Sequence, residues 1–149
     1  MKAIVYFSYG SPDALRLEEI EKPTAGDDEV LIKVRAASVN PIDWHFMRGS
    51  PYFFRMMTGV RQPTITRLGI DVAGQIEAVG RNIKQFKPGD EVFGACRGAF
   101  GEYVCTSEAT LVKKPENVTF EQAASVTVAG FTALKGFATG DRFGRGRRF

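Results

Sequence analysis

The stretch GIDVAGQIEAVG, residues 69–80, places a single aspartate, Asp71, near the start of a run of apolar residues and glycines. The run predicts a mostly buried β-strand, because apolar residues dominate it and a glycine stands at each end. A carboxylate buried there without a hydrogen-bonding partner would be costly, so we expect Asp71 to have one. Gly74, inside the run, is expected at a bulge, and Gly80, at its end, is expected at a turn.

A second polar group of residues lies in SVNPIDWHFMRG, residues 38–49. It contains Asn40, Asp43 and His45, the only histidine of the chain. The segment predicts a short helix: Asn40 suits the N-cap, a proline follows at the first helical position, and Gly49 ends it. Asp43 would lie in the first turn, where the helix dipole favours a negative charge. The sequence thus raises the question whether these polar groups line a site.

The rest of the chain predicts many short strands followed by one helix. Residues 50–68 are expected to form an irregular loop, and the segment FKPGDEVFG (86–94) a turn. A helix is predicted over residues 120–137, with Thr119 as its cap. Strands are predicted at KAIVYF, ALRLEEIEKP, DEVLIKVRAASV, IDVAGQIEAVG, EYVCTS and TLVKKP. This order predicts a mainly β barrel or sandwich with short helices and a C-terminal helix.

Charge and composition exclude several classes of protein. The net charge of +3 is concentrated in residues 140–149, and the remainder of the chain has 16 basic and 16 acidic side chains. We therefore expect no specific nucleic-acid partner, since a basic stripe across a folded face is missing. No apolar run is long enough to span a membrane, and the first ten residues do not form a signal peptide, which favours a cytoplasmic protein. Cys96 and Cys105 are expected to be free thiols.

Five motifs in order resemble the medium-chain dehydrogenase/reductases, and within them the zinc-free quinone oxidoreductase branch. They are SVNPIDWHFMRG, GIDVAGQIEAVG, FKPGDEVFG, GAFGEYV and AASVTVAGFTAL. The resemblance implies that residues 1–138 form the GroES-like β-barrel catalytic domain that precedes a Rossmann domain in such enzymes. It also implies NADPH as the cofactor and a quinone or α,β-unsaturated carbonyl as the substrate. The sequence does not distinguish NADPH from NADH.

The resemblance implies no zinc and no other metal. Asn40 stands where the zinc-dependent branch supplies a cysteine, and Ile70 stands where that branch supplies a histidine. Isoleucine has no atom that can ligate a metal ion, and a catalytic zinc needs three protein ligands. The closely spaced cysteines of a structural zinc lobe are missing as well. We therefore expect zinc-independent chemistry.

Without a metal, hydrogen-bond donors would have to polarise the substrate carbonyl. The resemblance gives this catalytic role, and a contact with the nicotinamide, to Asn40. An asparagine at this position can instead serve only as the helix cap, and the sequence leaves both roles open. His45 matches a tyrosine that faces the substrate in many relatives, so it is a catalytic candidate as well as a candidate for packing. Asp43 is expected to be structural.

Two further residues are expected at the cofactor. In the zinc-free branch Asp71 belongs to the pattern GxDxxG and is expected near the cofactor, bonded to the backbone or to an arginine. Thr132 resembles a threonine that contacts the nicotinamide where the last helix leaves the barrel. At Thr127 many relatives have proline, and this departure loosens the turn expected before the helix.

The chain ends before the Gly-rich turn that would receive a dinucleotide pyrophosphate. Residues 139–149 form a basic tail unlike the family; the sequence does not tell whether it is natural, frame-shifted or added for expression. We expect the chain alone to be inactive and to form homo-oligomers through residues 120–137. The alternative function is a non-catalytic β-barrel interaction module or a structural remnant.

Overall fold

Residues 1–140 are described by a computed structural model, and they form a mainly β structure with short helices. The strands are β1 (Lys2–Val5), β2 (Arg16–Glu19), β3 (Glu29–Ser38), β4 (Asp71–Val79), β5 (Glu91–Ala95), β6 (Tyr103–Ser107) and β7 (Leu111–Lys113). The helices are α1 (Pro41–Arg48), α2 (Phe53–Thr58), α3 (Phe120–Ala124) and α4 (Thr127–Gly140). The predicted mainly β architecture with a C-terminal helix is confirmed.

The main sheet has five antiparallel strands in the order β6-β3-β4-β5-β7, and β1 pairs with β2 in a separate ribbon. Alternate side chains of the long central strands face one core, which explains their apolar pattern. The core contains Val30, Ile32, Val72, Ile76, Val92 and Val104, all fully or almost fully buried. Burial of each such side chain contributes roughly 1.5–3 kcal/mol.

Pairing between strands does not close this sheet within residues 1–140. The edge strands β6 and β7 pair only with β3 and β5. One side-chain hydrogen bond connects β6 to β5 across the open side of the sheet: Thr106 Oγ1 donates to the carbonyl oxygen of Ala95 at 3.3 Å. The described part of the chain is thus a curved, open sheet where a barrel was predicted from the resemblance.

Gly74 lies at an irregularity of the central strand pair, as the sequence predicts. The register between β3 and β4 shifts between Val34 and Ala36, next to the residue that pairs with Gly74. A Cβ on Gly74 would stand 2.3 Å from the carbonyl oxygen of Lys33. Only glycine permits this approach of the two backbones.

Two elements lie where the sequence predicted none. β5 occupies part of the segment predicted as a turn, because its pairing with the preceding strand β4 outweighs the turn signals just before it. α2 occupies part of residues 50–68, predicted as an irregular loop. A residue outside the helix stabilises the C-terminal end of α2. The hydroxyl of Tyr9 donates to the carbonyl oxygen of Gly59 at 2.6 Å and also hydrogen-bonds Thr58 at 2.8 Å. Both stabilising contacts are non-local, which explains the two errors.

The single helix predicted over 120–137 is instead two helices, α3 and α4. Thr119 caps α3 as predicted, since its Oγ1 accepts from the N–H of Gln122 at 3.2 Å. The helix is interrupted at Ser125, whose Oγ donates to the carbonyl oxygen of Gln122 at 2.8 Å. A serine that bonds the backbone in this way competes with helix continuation. α4 then begins with a new N-terminal partner, described below.

The carboxyl end of the chain completes the description. The predicted basic tail 139–149 lies, from residue 141 onward, outside the described residues. Of the helices in residues 1–140, none has the length and apolar character that crossing a membrane requires.

Candidate functional site

Four element ends meet at one side of the sheet: the end of β3 and the starts of α1, β4 and α4. The antiparallel register places Ser38, the last residue of β3, directly opposite Asp71, the first residue of β4. Asn40 follows two residues after Ser38 and caps α1. Non-local strand pairing thus brings together the two polar segments that the sequence singled out.

Asp71 has 0 % exposed surface, and its carboxylate receives three hydrogen bonds. Oδ2 accepts from Ser38 Oγ at 2.8 Å and from Asn40 Nδ2 at 3.1 Å. Oδ1 accepts from the backbone N–H of Val128, in the first turn of α4, at 3.1 Å. These bonds offset the cost of removing a carboxylate from water. The expectation that Asp71 bonds to backbone is confirmed, and within residues 1–140 its hydrogen-bond donors do not include an arginine.

Asn40 is almost fully buried and directs its amide into the same cluster. In addition to Asp71, its Nδ2 reaches Ser38 Oγ at 3.3 Å. A carboxylate can only accept, so the nitrogen end of the amide must face Asp71. The two hydrogens of Nδ2 therefore have two acceptors within the protein, of which the serine oxygen is the more distant.

Asp43 joins α1 to the chain that leads into β4. Its Oδ2 accepts from the backbone N–H of Asn40 at 2.8 Å, and its Oδ1 accepts from the N–H of Gly69 at 3.0 Å. Burial raises the pKa of Asp43 above its ordinary value, the two backbone bonds oppose the rise, and the nearby charge of Asp71 adds to it. Both carboxylate oxygens are engaged by backbone, so the geometry matches the structural role expected from the sequence.

His45 lies apart from the cluster around Asp71, on the side of α1 that faces α2. Its ring stacks on Phe54, with the centroids 5.2 Å apart, and meets Trp44 edge-on at 4.9 Å. Nδ1 lies 2.7 Å from the carbonyl oxygen of Ser50. Because that oxygen can only accept, Nδ1 carries the hydrogen, and in the neutral ring Nε2 is an acceptor. A catalytic role of His45 stays a prediction.

Thr132 lies in an exposed part of α4, beyond the turn that Asp71 holds. Within residues 1–140 the hydrogen bonds of Asn40 and Asp71 go to Ser38, Asp43, Val128 and each other, and not to Thr132. At the start of the helix, Thr127 has a buried hydroxyl that finds no hydrogen-bond partner in the described part of the chain. The structure thus brings Asn40 together with Asp71 and leaves His45 and Thr132 outside that cluster.

A cavity of about 20 Å³ lies beside this cluster and is lined by Tyr6, Asp43, Phe46, Thr58, Ile65, Arg67, Leu68, Gly69, Ile70 and Arg97. It has room for roughly one water molecule, whereas pockets for small ligands occupy several hundred Å³. The hydroxyl of Tyr6 is buried and has no hydrogen-bond partner among residues 1–140, and burial raises the pKa of Tyr6 to about 12. A substrate would therefore need walls beyond this cavity.

Two participants in the cluster were missed at the sequence level, namely the hydroxyl of Ser38 and the backbone N–H of Val128. Ser38 could have been found by aligning β3 against β4, because the residue opposite a buried aspartate is a natural donor. The contact with Val128 spans 57 residues of chain, and no local pattern signals it. Within residues 1–140, His, Cys, Asp and Glu side chains form no group of three or more that could hold a metal ion.

Comparison with known proteins places this arrangement in a family. Residues 26–116 match the alcohol dehydrogenase GroES-like domain. The chain belongs to this family. The matched residues therefore cover the main sheet together with α1, α2 and the side chains of Ser38, Asn40 and Asp71, and the predicted GroES-like fold is confirmed.

Relatives narrow the resemblance to quinone oxidoreductases. Human quinone oxidoreductase is 38% identical over 139 residues, which cover 91% of this chain and 40% of that protein. The chloroplastic NADPH-dependent alkenal/one oxidoreductase of Arabidopsis thaliana is 38% identical over 147 residues, covering 91% and 36%. The resemblance to the quinone oxidoreductases among the medium-chain dehydrogenase/reductases is thus confirmed.

Solved structures agree with these matches. The quinone oxidoreductase of Coxiella burnetii superposes with a TM-score of 0.87 at 33% identity, covering 95% of this chain and 45% of that one. The Escherichia coli quinone oxidoreductase complexed with NADPH gives 0.78 at 25% identity, covering 89% and 39%. The chain spans about 40% of the length of the relatives it matches.

Proposed function

We propose that residues 1–138 form the catalytic domain of a zinc-independent, NADPH-dependent reductase of quinones or α,β-unsaturated carbonyls. The names of the relatives support the reaction class, and the residues that replace the metal ligands support zinc independence: Asn40 and Ile70 offer no thiolate or imidazole. The observation that carries the proposal is the buried amide of Asn40 at the meeting point of β3, β4 and α1. A cytoplasmic location stays a prediction from the sequence.

NADPH would supply the hydride, and this domain would supply polar and apolar walls for the acceptor. Asn40 would donate to a ligand oxygen by exchanging its 3.3 Å bond to Ser38, the longer of its two bonds, while keeping its bond to Asp71. That exchange replaces one neutral hydrogen bond by another, so its free-energy cost is small. Thr132 would meet the nicotinamide end from the exposed part of α4.

The chain alone is expected to bind dinucleotide weakly. Asn40 and Thr132 together offer one or two neutral hydrogen bonds, worth roughly 0.5–1.5 kcal/mol each, whereas even millimolar affinity requires about 4 kcal/mol. Most of the affinity would come from a dinucleotide-binding domain, where a helix N-terminus receives the pyrophosphate. We therefore propose that the 149-residue polypeptide by itself neither binds NADPH at micromolar concentration nor reduces quinones.

The test is a chimera in which a relative's dinucleotide-binding domain follows Phe137. We expect it to oxidise NADPH with a quinone, and Asn40→Ala to lower kcat by roughly a hundred- to a thousandfold, as for loss of one oxyanion donor. Glu19→Gln, on the exposed strand β2, is the matched control and should leave kcat unchanged. A folded chimera without turnover would contradict the reductase proposal. Turnover by the 149-residue polypeptide itself would contradict its inactivity.

One observation favours the alternative of a non-catalytic interaction module. α4 exposes Phe131, Leu134 and Phe137, at 62%, 69% and 80% of their surface. Exposed apolar surface of this kind often marks a protein contact. The chimera distinguishes the two functions, because an interaction module would remain inactive after a dinucleotide-binding domain is added.

A further inference from the structure

The carboxylate of Asp71 is the one point in the described chain where β3, α1 and α4 are joined by a single side chain. Ser38 belongs to the end of β3, Asn40 caps α1, and Val128 lies in the first turn of α4. We propose that Asp71 is a positioning residue that fixes the amide of Asn40 and the start of α4 in one geometry. The inference deepens the proposed function. It rests on that function only where it says what the orientation of Asn40 is for.

The geometry at Oδ2 fixes the direction of every hydrogen bond in the cluster. Ser38 Oγ is 2.8 Å from Asp71 and must donate its hydrogen there, because a carboxylate only accepts. The same Ser38 oxygen then accepts from Asn40 Nδ2, which also donates to Asp71. The three side chains form a closed triangle with one arrangement of hydrogens. This triangle sets the orientation of the Asn40 amide.

At Oδ1 the same carboxylate acts on a helix end. The first N–H groups of a helix have no partner within the helix, and the dipole favours a negative charge there. Asp71 accepts from Val128 N at 3.1 Å and is fully buried, so water cannot replace it without opening the cluster. The position of α4, and of Thr132 on it, is thereby tied to the group that orients Asn40.

Asp71 has no exposed surface, and for this reason its role is to position other groups rather than to touch a ligand. An asparagine in its place would keep the volume but offer a single acceptor oxygen to three donors. It could serve Val128, or Ser38 and Asn40, but not both sides. Asp71→Asn therefore breaks the link between α1 and α4 without creating a cavity.

The experiment is nuclear magnetic resonance of the 149-residue chain, with no cofactor or substrate present. In Asp71→Asn we expect one of the two sides to be lost: either the Val128 amide exchanges about tenfold faster or more, or the side-chain NH₂ resonances of Asn40 shift. Core amides such as that of Ile32 should stay within about twofold in either case. Ser38→Ala should shift the Asn40 resonances and leave exchange at Val128 within about twofold.

A second pair of variants covers the case in which Asp71→Asn does not fold. Val128→Pro removes the donated N–H in a helical turn that tolerates proline, and it should shift the Asn40 NH₂ resonances. Thr127→Pro is the matched control, because it keeps the N–H of Val128 and should not shift those resonances. It removes the N–H of residue 127, at the first helical position where proline is tolerated, and a hydroxyl that has no hydrogen-bond partner within residues 1–140. Unchanged Asn40 resonances in Val128→Pro would overturn the proposal, and so would folded Asp71→Asn in which Val128 exchange and the Asn40 resonances are both unchanged. Failure of the chimera would instead contradict only the reductase function.

Discussion

The buried titratable side chains at the site either accept hydrogen bonds or have a pKa that keeps them in the unreactive form. Asp43 and Asp71 accept five hydrogen bonds between them, from backbone and side chains of four different segments. Cys96, which follows β5, is buried in the same region without such donors. Burial first, and the negative charge of Asp71 second, raise the pKa of Cys96 to about 12, while the cation of Arg67 opposes the rise. The thiol form is therefore favoured there.

The two free cysteines should differ in reactivity. At pH 8 a pKa of about 12 leaves roughly one Cys96 in 10⁴ as thiolate, the reactive form. Cys105 is only half-buried, and its pKa is also raised by burial. With iodoacetamide at pH 8, we expect Cys105 to be alkylated first and Cys96 at least about a hundredfold more slowly. Peptide mass mapping measures both rates.

The variant Cys105→Ser provides the control for that comparison, because it isolates Cys96. Its alkylation should be slow in the native state and fast in urea, where burial is lost. Alkylation of Cys96 within about threefold of Cys105 in the native chain would show that its environment is open.

At the scale of elements, Lys114 connects β7 to the turn that precedes α3. Its side chain is only 6% exposed and forms an ion pair with Glu91 at 2.9 Å. Nζ also donates to the carbonyl oxygens of Pro115 at 3.1 Å and Val118 at 2.8 Å. All three directions of the ammonium are used, so the lysine holds the loop against the sheet edge.

Lys114→Met should destabilise the fold by roughly 1–3 kcal/mol, because it leaves two carbonyls and a carboxylate without their charged donor. Lys113→Met is the matched control. The Lys113 side chain is 63% exposed, its pair with Asp90 is longer at 3.4 Å, and such pairs contribute about 0–1 kcal/mol. Urea unfolding of both variants measures the difference. Equal losses would mean that burial of Lys114 adds nothing.

How far the sequence predicted each element depends on where its stabilising contacts lie. α1 was predicted with its bounds, because Asn40 and Gly49 are local signals and Gly49 adopts a left-handed φ of 57°. The break between α3 and α4 was missed because the acceptor that starts α4 is Asp71, far away in sequence. β5 was missed because the turn signals just before it are local, whereas the strand depends on pairing with β4 and β7.

The candidate site shows the same division between local and non-local information. That Asp71 needs partners followed from elementary energetics, and so did the N-cap position of Asn40. That the two residues are partners of each other required the register of β3 and β4, which no single-segment pattern contains. His45 was grouped with Asn40 because both lie near α1, yet the helix directs its ring toward Phe54. Proximity in sequence was a poor guide to shared contacts there.

At the scale of the whole molecule, α4 is exposed over most of its described length. Its side chains from residue 131 to 138 are all exposed, and Phe131, Leu134 and Phe137 follow each other at intervals of three. At 3.6 residues per turn these three side chains fall within an arc of about 120° on one side of the helix. Self-association through this stripe stays a prediction.

We predict that the 149-residue chain forms a dimer or a larger species through α4, because pairing two such helices removes six large apolar side chains from water. Each contributes up to roughly 1.5–3 kcal/mol when fully buried, and the cost of association consumes much of the sum, so micromolar affinity is expected. Sedimentation over a concentration series measures it.

The triple variant Phe131→Ser, Leu134→Ser and Phe137→Ser should be monomeric, whereas Val112→Ser, at an exposed position on β7, should associate like the wild type. A wild-type chain that stays monomeric at high concentration would contradict the prediction, and association that persists in the triple variant would place the contact elsewhere.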